Sequence, residues 1–353
     1  MNQLPSPTTP ADALTNEDFE RAALRGRASF DAASLVAGHP PNLTHPNKAL
    51  LYDLVATSPA PVGGELVVSR WAAVASPGGA PAGEPPRFEL REGAFAYEPA
   101  GAASVAWHVN FADDQLFAFY GGPAFGQDEI QVAEHPALAS LLGRLRAAPP
   151  PGLVPLAREA GVATPVLVAG VERRAAIDTE PDLDAGRLYG LYGRRFQRAT
   201  PKEIRSAVTL LDPPARTNLI AMAALQGGAG AYTEAHVADT LANAYAGFRA
   251  ARVESARLAG ATTKVEVHTG HWGGGAFGGN RVLMAAVQLL AARLAGLDVL
   301  VFYAFDGQGA DDYRAATRVV ERALVAPSGV ATTSQIVAAL VAMKFTWGSP
   351  DGN

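Results

Sequence analysis

The chain contains no cysteine, and that one absence removes disulfides, thiolate zinc sites and cysteine nucleophiles together. Nor is there an excess of positive charge. Lys and Arg number 29 against 34 Asp and Glu, for a net charge of −5, so any polyanionic ligand must be held by a local site. Charged residues make up 18% and hydrophobic residues 48%, which excludes a disordered chain and fits a packed globular one. Gly, Arg and Asp interrupt the apolar segments well before the ~18 residues that a membrane span requires. The segment Met1–Arg21 lacks both a basic start and an apolar stretch, so it does not read as a signal peptide. A soluble, intracellular (cytoplasmic) protein without membrane association is expected. None of the seven histidines stands in a His-x-x-x-His or comparable set, so neither a metal nor a cofactor is expected. There is no Gly-x-Ser-x-Gly elbow to support serine hydrolase chemistry.

What is present reads as two parts. Residues 1–95 form an N-terminal accessory region, mainly helical. A polar, Pro-rich tail leads to a helix from Asn16 to about Arg27, capped by Thr15 or Asn16, with Glu17, Asp18 and Glu20 at the positive end of its dipole. A second helix is expected over Pro46 to Ala56. The Pro- and Gly-rich run Ser76 to Pro86 cannot hold regular structure and reads as an exposed loop or the seam between the parts. Residues 96–353 then alternate. Strands are expected at Ser104–Phe111, Thr164–Ala169, Asn218–Ala224, Lys264–Thr269 and Val299–Phe305. Helices are expected at Pro136–Ala147, Glu234–Arg252 and Arg281–Ala295, with a closing helix near Ser334–Met343. The helix from Arg281 is apolar nearly all round, which argues burial against a sheet. The alternation predicts a layered α/β domain with a parallel or mixed sheet.

The most informative local feature is His268-Thr-Gly-His-Trp-Gly-Gly-Gly-Ala-Phe-Gly-Gly-Asn280, between a strand and the apolar helix. Glycines let backbone N–H groups approach an anion, and a helix N-terminus adds partial positive charge. A diphosphate can be held this way without a Lys, which suits an acidic protein. The plainer alternative is a connector that only turns a strand into a helix. Trp272 and Phe277 either offer faces to a ribose or base or anchor the loop to the core, and His271 stands open between ligand contact and structural role. Gly273-x-Gly275-x-x-Gly278 also satisfies the dinucleotide-fold pattern, with Asp306 ending the next strand. However, Gly270-His271-Trp272 intervene and the motif lies late in the chain, so this is the minor rival.

A second constellation runs from Val109-Asn-Phe-Ala-Asp-Asp114 through Gly121-Gly122 to Gln127-Asp-Glu-Ile130, in a loop before the helix at Pro136. Cleaving a glycosidic bond needs a carboxyl group to protonate the leaving oxygen. A Glu in partly apolar surroundings can have its pKa raised for that task, and two carboxylates sharing a site resist double ionisation. Taken on spacing alone, Asp128 and Glu129 read as solvated acids at a helix start rather than as a catalytic pair. His108, on a strand, reads as a core or edge residue rather than a base.

Together these segments resemble the catalytic domain of the poly(ADP-ribose) glycohydrolases. Val109-Asn-Phe-Ala-Asp113 stands where the family has Val-Asp-Phe-Ala-Asn, and Gln127-Asp-Glu-Ile130 where it has Gln-Glu-Glu-Ile. His135-Pro136 falls at the family's Asn-Pro. Leu241-Ala-Asn-Ala-Tyr-Ala-Gly-Phe248 is similar to its Leu-Asn-Lys-Ala-Tyr-Cys-Gly-Phe. Thr269 to Asn280 is similar to Thr-Gly-Asn-Trp-Gly-Cys-Gly-Ala-Phe-Gly-Gly-Asp, and Phe302-Tyr-Ala-Phe305 to Tyr-Phe-Thr-Phe. The resemblance runs from about residue 104 to 325.

It implies a macrodomain-like three-layer α/β/α core that binds ADP-ribose or poly(ADP-ribose), attached to protein or nucleic acid, in a surface cleft. Glu129 would be the catalytic acid that protonates the leaving ribose oxygen before water attacks the anomeric carbon, and Asp128 would contact a ribose hydroxyl. The binding residues implied are Asn110, Asp113, Gln127, His271, Trp272, Gly273, Gly274, Gly275, Ala276, Phe277, Gly278 and Phe305. Of these, Gln127 supports the loop, Gly273 onward holds the diphosphate and Phe305 stacks on adenine. The chain also departs from the family. Asn110, Asp113, Asp128 and His271 replace Asp, Asn, Glu and Asn. The family's Gly-Gly-Gly falls on Phe117-Ala-Phe119 unless a gap brings in Gly121-Gly122. Its adenine-covering Tyr is missing after Gly170-Val-Glu172, with Tyr189 and Tyr192 further on. These changes crowd around the reacting sugar, so the alternative is a non-catalytic ADP-ribose reader.

Overall fold

In the computed structural model, residues 15–57, 61–76, 84–98, 101, 103–326 and 329–351 are described. The tail before Thr15 and most of the Pro/Gly run after Ser76 lie outside them. Helix α1 (Asn16–Ala23) is capped by the Thr15 hydroxyl, which accepts from the Asp18 N–H. It ends four residues before the expected Arg27. From Leu24 the burial alternates with a period of two, and the chain becomes strand β1 (Leu24–Asp31). Gly26, a poor helix former, lies there with the Pro151 carbonyl so close that a Cβ would stand 2.4 Å from it.

Helices α2 (Ala32–Gly38) and α3 (Pro46–Thr57) follow, then strands β2 (Glu65–Trp71) and β3 (Arg87–Glu92). The N-terminal region thus carries the two expected helices as α1 and α3, together with α2 and three strands that sequence analysis does not anticipate. Next come β4 (Ser104–Asn110), α4 (Gln127–Glu134), α5 (Pro136–Ala147), β5 (Val166–Ile177), α6 (Pro201–Ala207) and β6 (Val208–Ala221). The chain closes with α7 (Glu234–Ala259), β7 (Lys264–Gly270), α8 (Arg281–Ala295), β8 (Val299–Ala304), α9 (Gly307–Ala323) and α10 (Thr333–Ala342). Strand β5 runs well past the expected Ala169 because its polar residues are paired. Arg173 binds Glu134, and the buried Arg174 donates to the Val55 carbonyl and to Glu172.

These eight strands form one mixed sheet in the order β1-β2-β5-β6-β4-β7-β8-β3. The β1, β2, β5 and β6 pairings are antiparallel, and β6, β4, β7, β8 and β3 run parallel. Trp107, Val109, Val267, Leu300 and Phe302 pack on one face against α1 and α7 to α10. Leu219, Ala221, Val166 and Val168 pack on the other against α2 to α6. The result is a three-layer α/β/α core. As its all-round apolar pattern predicts, α8 lies buried between α7 and α9. Four parallel strands end together at Ala221, Asn110, Gly270 and Ala304, and their carboxyl ends open the crevice where open α/β sheets hold ligands.

Helix α1 belongs to this core. Phe19 is fully buried, stacked on Trp71 at 5.5 Å and edge-on to Tyr245 at 6.0 Å. Phe19→Ala is expected to cost about 3–5 kcal/mol in denaturant unfolding of the whole chain, as for a buried aromatic truncated to Ala. A loss under about 1 kcal/mol would mean that α1 is an appendage.

Candidate active site

Two loops build the site, and each is fixed by side chains turned away from it. At the end of β4, Gln127 Oε1 accepts from the Phe111 N–H at 2.8 Å and its Nε2 donates to the Val109 carbonyl at 3.1 Å. Asn110 Nδ2 reaches the Asp128 carbonyl at 3.4 Å. The first turn of α4 is thereby tied to the sheet. Residues 127–134 are helix rather than the expected loop, and at its start the Gly126 N–H donates to Glu129 Oε2 at 2.7 Å. Asp128 and Glu129 are indeed acids at a helix start, but Glu129 is buried rather than solvated.

The second loop follows β7. Trp272 is 1% exposed, and its indole N–H donates to the Met222 carbonyl at 2.9 Å. Of the two roles open to Trp272, the ring takes that of core anchor. Gly273 has φ +72°, and a Cβ there would meet Ala224 and Met284 at 2.7 and 2.8 Å, so only glycine fits. The N–H groups of Trp272, Gly274, Gly278 and Gly279 close turns within the loop. Those of Gly273, Gly275, Ala276 and Phe277 take no part in this internal bonding and are what the loop can offer an anion.

The two loops face one another across a cavity of about 980 Å³. Its wall includes Asp113, Gln127, Asp128, Glu129, the loop from His271 to Phe277, and Phe305. Phe305 is 59% exposed, with its ring centroid 6.4 Å from that of Tyr192. Two expected binding residues do not reach the wall. Asn110 is fully buried behind Asp128 as a support. Gly278 faces the C-terminal segment, where Gly348 N–H donates to its carbonyl and Pro350 covers it. His271 lines the cavity and sets its ring edge-on to Phe302 at 5.0 Å. Phe117, where the family has glycine, is buried with φ +54°, while Phe119 projects into the cavity. Gly121 is occupied elsewhere, its carbonyl accepting from the backbone of Thr44 and His45 at 2.9 and 3.2 Å. His108 is a core residue, stacked between Tyr97 and His268 at 4.3 and 4.4 Å.

The electrostatics centre on the acid pair. Burial first, and then the charge of Glu129 and a hydrogen bond to it, push the Asp128 carboxyl well above the usual carboxylate range. The pair therefore tends to keep a proton, which is what a general acid needs. Tyr192, held at the Gln127 backbone, is pushed up to about 12 by enclosure of its hydroxyl and by Asp351, Asp128 and Glu129.

Sequence reasoning missed several members of this site. Tyr189 and Tyr192, noted in the sequence only as lying further on than the family's tyrosine, come from the segment after β5 and line the cavity. Lys48 lies beneath the acids. Tyr97, Glu134 and Arg173 extend the cavity, with the Arg173 guanidinium 4.0 Å over the Tyr97 ring. The Asp351 carboxylate lies 3.1 Å from where a Gly275 Cβ would stand. No motif marks any of these, and only the fold brings them together. Among the described residues no group of three or more His, Cys, Asp or Glu could hold a metal ion, and no helix is long and apolar enough to cross a membrane.

Residues 191–312 match a family model described as poly(ADP-ribose) glycohydrolase (PARG), macro domain fold. That stretch, less than half of the chain, is similar to the poly(ADP-ribose) glycohydrolase family. It includes the glycine loop, Tyr192 and Phe305, whereas Lys48, Asp128 and Glu129 lie before it. No curated protein matches the chain. Among solved structures, the poly(ADP-ribose) glycohydrolase of Thermomonospora curvata is 17% identical, with 86% of this chain and 95% of that one covered and a TM-score of 0.35. The Deinococcus radiodurans poly(ADP-ribose) glycohydrolase in complex with ADP-ribose is 14% identical over 91% and 100%, with a TM-score of 0.37. TM-scores this low carry no weight by themselves. The similarity of residues 191–312 to the glycohydrolase family rests on the family match.

The raised Asp128 carboxyl has a consequence for stability. A folded-state pKa above the unfolded one favours folding at low pH, and that advantage is lost as pH rises through the folded value. At pH 7, Asp128→Asn is therefore expected to raise the thermal midpoint, and the gain should vanish near pH 3. An equal effect at both pH values would show that Asp128 is not held protonated by the fold.

Proposed function

We propose that the protein hydrolyses the ribose glycosidic bond of poly(ADP-ribose) or an ADP-ribosylated substrate and releases ADP-ribose. The observation that carries this reading is the placement of the Asp128–Glu129 pair opposite the glycine loop in one cavity. A diphosphate on the free N–H groups of Gly273 to Phe277 sets a ligand's two ends in opposite directions. One end reaches Phe305 and Tyr192, two ring faces suited to adenine. The other reaches the acids. Glu129, with Oε2 oriented by the Gly126 N–H, gives the proton to the leaving ribose oxygen. Asp128 holds a ribose hydroxyl, and water attacks the anomeric carbon. His271 and Asp113 complete the wall around the ligand.

With poly(ADP-ribose) and mono-ADP-ribosylated protein as substrates, wild type is expected to release ADP-ribose. Glu129→Gln should lose about 10²- to 10⁴-fold in rate, as when a general acid is removed, while still binding ADP-ribose in calorimetry. A reader that binds without turnover is favoured by Phe119, an exposed ring on the cavity wall where the ungapped resemblance has glycine. Binding without release from either substrate selects that reading, and absence of binding overturns both.

Asp351 sets a further expectation. Its carboxylate lies beside the anion-binding face of the loop, so Asp351→Asn should tighten ADP-ribose binding by about three- to tenfold at low salt, with the gain shrinking as salt screens the charge. Unchanged affinity would show that the carboxylate stands clear of the diphosphate.

A further inference from the structure

Lys48 is the one lysine of α3, and its side chain is 0% exposed. Its ammonium donates to the Tyr120 carbonyl at 2.8 Å and stands 4.9, 5.2 and 5.4 Å from the ring centroids of Tyr120, Phe125 and Phe196. Cation–π contacts and one neutral carbonyl offset only part of what it costs to bury a charge. The carboxylates that act on it are Glu129 first and Asp128 second.

Its contacts are also mechanical. Tyr120 and Phe125 bracket the loop that ends at Gly126, whose N–H orients Glu129. Phe125 stacks on Phe196 at 4.2 Å, and its carbonyl accepts from the Gly193 N–H at 2.8 Å. Asn47, beside Lys48, donates to the carbonyls of Phe196 and Ala199, each at 2.9 Å. The same stretch of chain holds Gly121 through Thr44 and His45. One segment, 44–48, thus clamps the loop before the acids to the 3₁₀ turn that follows Tyr192.

We propose that Lys48, a residue outside the macro domain segment, is a positioning residue for the acid pair: it holds the Tyr120–Gly126 loop under Glu129 and supplies the positive charge against which Asp128 and Glu129 share one negative charge. The kinetic part rests on the glycohydrolase reading, whereas the electrostatic part does not. The groups that face Lys48 and the pair are few. From α4 they are Asp128 and Glu129, and from the loop the Tyr120 phenol, which burial keeps neutral. From the turn after β5 comes the Tyr192 phenol, with Asp351 acting on it from the C-terminal segment. Burial lowers Lys48 to about 8 against the pull of the two carboxylates. The ammonium is therefore charged below that pH and loses its charge above it, and the support for the pair goes with it.

The test compares Lys48→Met and Lys48→Arg with wild type in two ways. In pH–rate profiles of ADP-ribose release, wild type should show an alkaline limb near pH 8. Lys48→Met should lose about ten- to a hundredfold in kcat, as for a group misplaced by a fraction of an ångström, with KM little changed and no alkaline limb. Lys48→Arg, charged at every accessible pH, should move that limb upward. Independently of turnover, infrared titration of the protonated carboxyl band, assigned by its loss in Asp128→Asn, should show the band persisting to higher pH in Lys48→Met. If wild type releases nothing from any substrate, the glycohydrolase reading fails and the infrared titration still decides the role of Lys48. A folded Lys48→Met, or Lys48→Arg where Met is not tolerated, with wild-type carboxyl titration and pH profile overturns the proposal.

Discussion

The side-chain amide of Gln127 closes the end of β4 by accepting from Phe111 and donating to Val109. Each such bond contributes only about 1 kcal/mol net, but leaving either backbone group buried and unpaired costs ~1–3 kcal/mol. An apolar side chain at 127 forfeits both at once. Because Gln127 is the first residue of α4, satisfying the strand end fixes where the helix begins. That point in turn determines where residues 128 and 129 stand. The Gly126 N–H, donating to Glu129 Oε2, completes the geometry from the other side. A demand of backbone hydrogen bonding thus puts two carboxyl groups at the mouth of the crevice, before any ligand enters the argument.

The glycine loop follows the same logic with different chemistry. Its rigidity comes from Trp272, whose ring fills the core and whose indole N–H is satisfied by Met222. The turns inside the loop use up four of its N–H groups and leave those of Gly273, Gly275, Ala276 and Phe277 outside that internal bonding. Buried anchors behind and bare backbone in front let a loop with so many glycines hold a shape, since the entropy it would otherwise keep is removed by packing rather than by ligand.

How much of this could be read from the sequence depended on whether a signal was local. Pro136–Ala147 and Arg281–Ala295 were legible to the residue because Pro at N1 and an Asn cap mark their starts. The glycine loop was legible because glycine there is a steric requirement, as Gly273 shows. Strand β1 was not, since Leu24-Arg-Gly-Arg-Ala-Ser-Phe-Asp31 alternates too weakly to compete with the helical pattern before it. The polar half of β5 was hidden because Arg173 and Arg174 read as surface until Glu134, Glu172 and the Val55 carbonyl are seen beside them. Lys48 illustrates the limit most clearly. In the sequence it is a helical lysine like any other, and only the closure of three aromatic rings from separate segments makes it a buried cation.

The division of charge within the site has a physical reason. A diphosphate must bind close to acids that have to keep a proton, in a chain of net charge −5. A Lys in the glycine loop would hold the phosphates but would also act across the cavity on Asp128 and lower its pKa, since an opposite charge favours the ionised form. Backbone N–H dipoles avoid this, because their field falls off more steeply with distance than that of a full charge and acts mainly on what they touch. The cation that does influence the pair lies on the other side, sealed at Lys48 behind Tyr120 and Phe125, where it favours ionisation and partly offsets the burial that raises Asp128. Dipoles in front can hold an anion with little pull on the acids, while burial and the charge of Glu129 keep a proton on the pair against the opposing pull of Lys48.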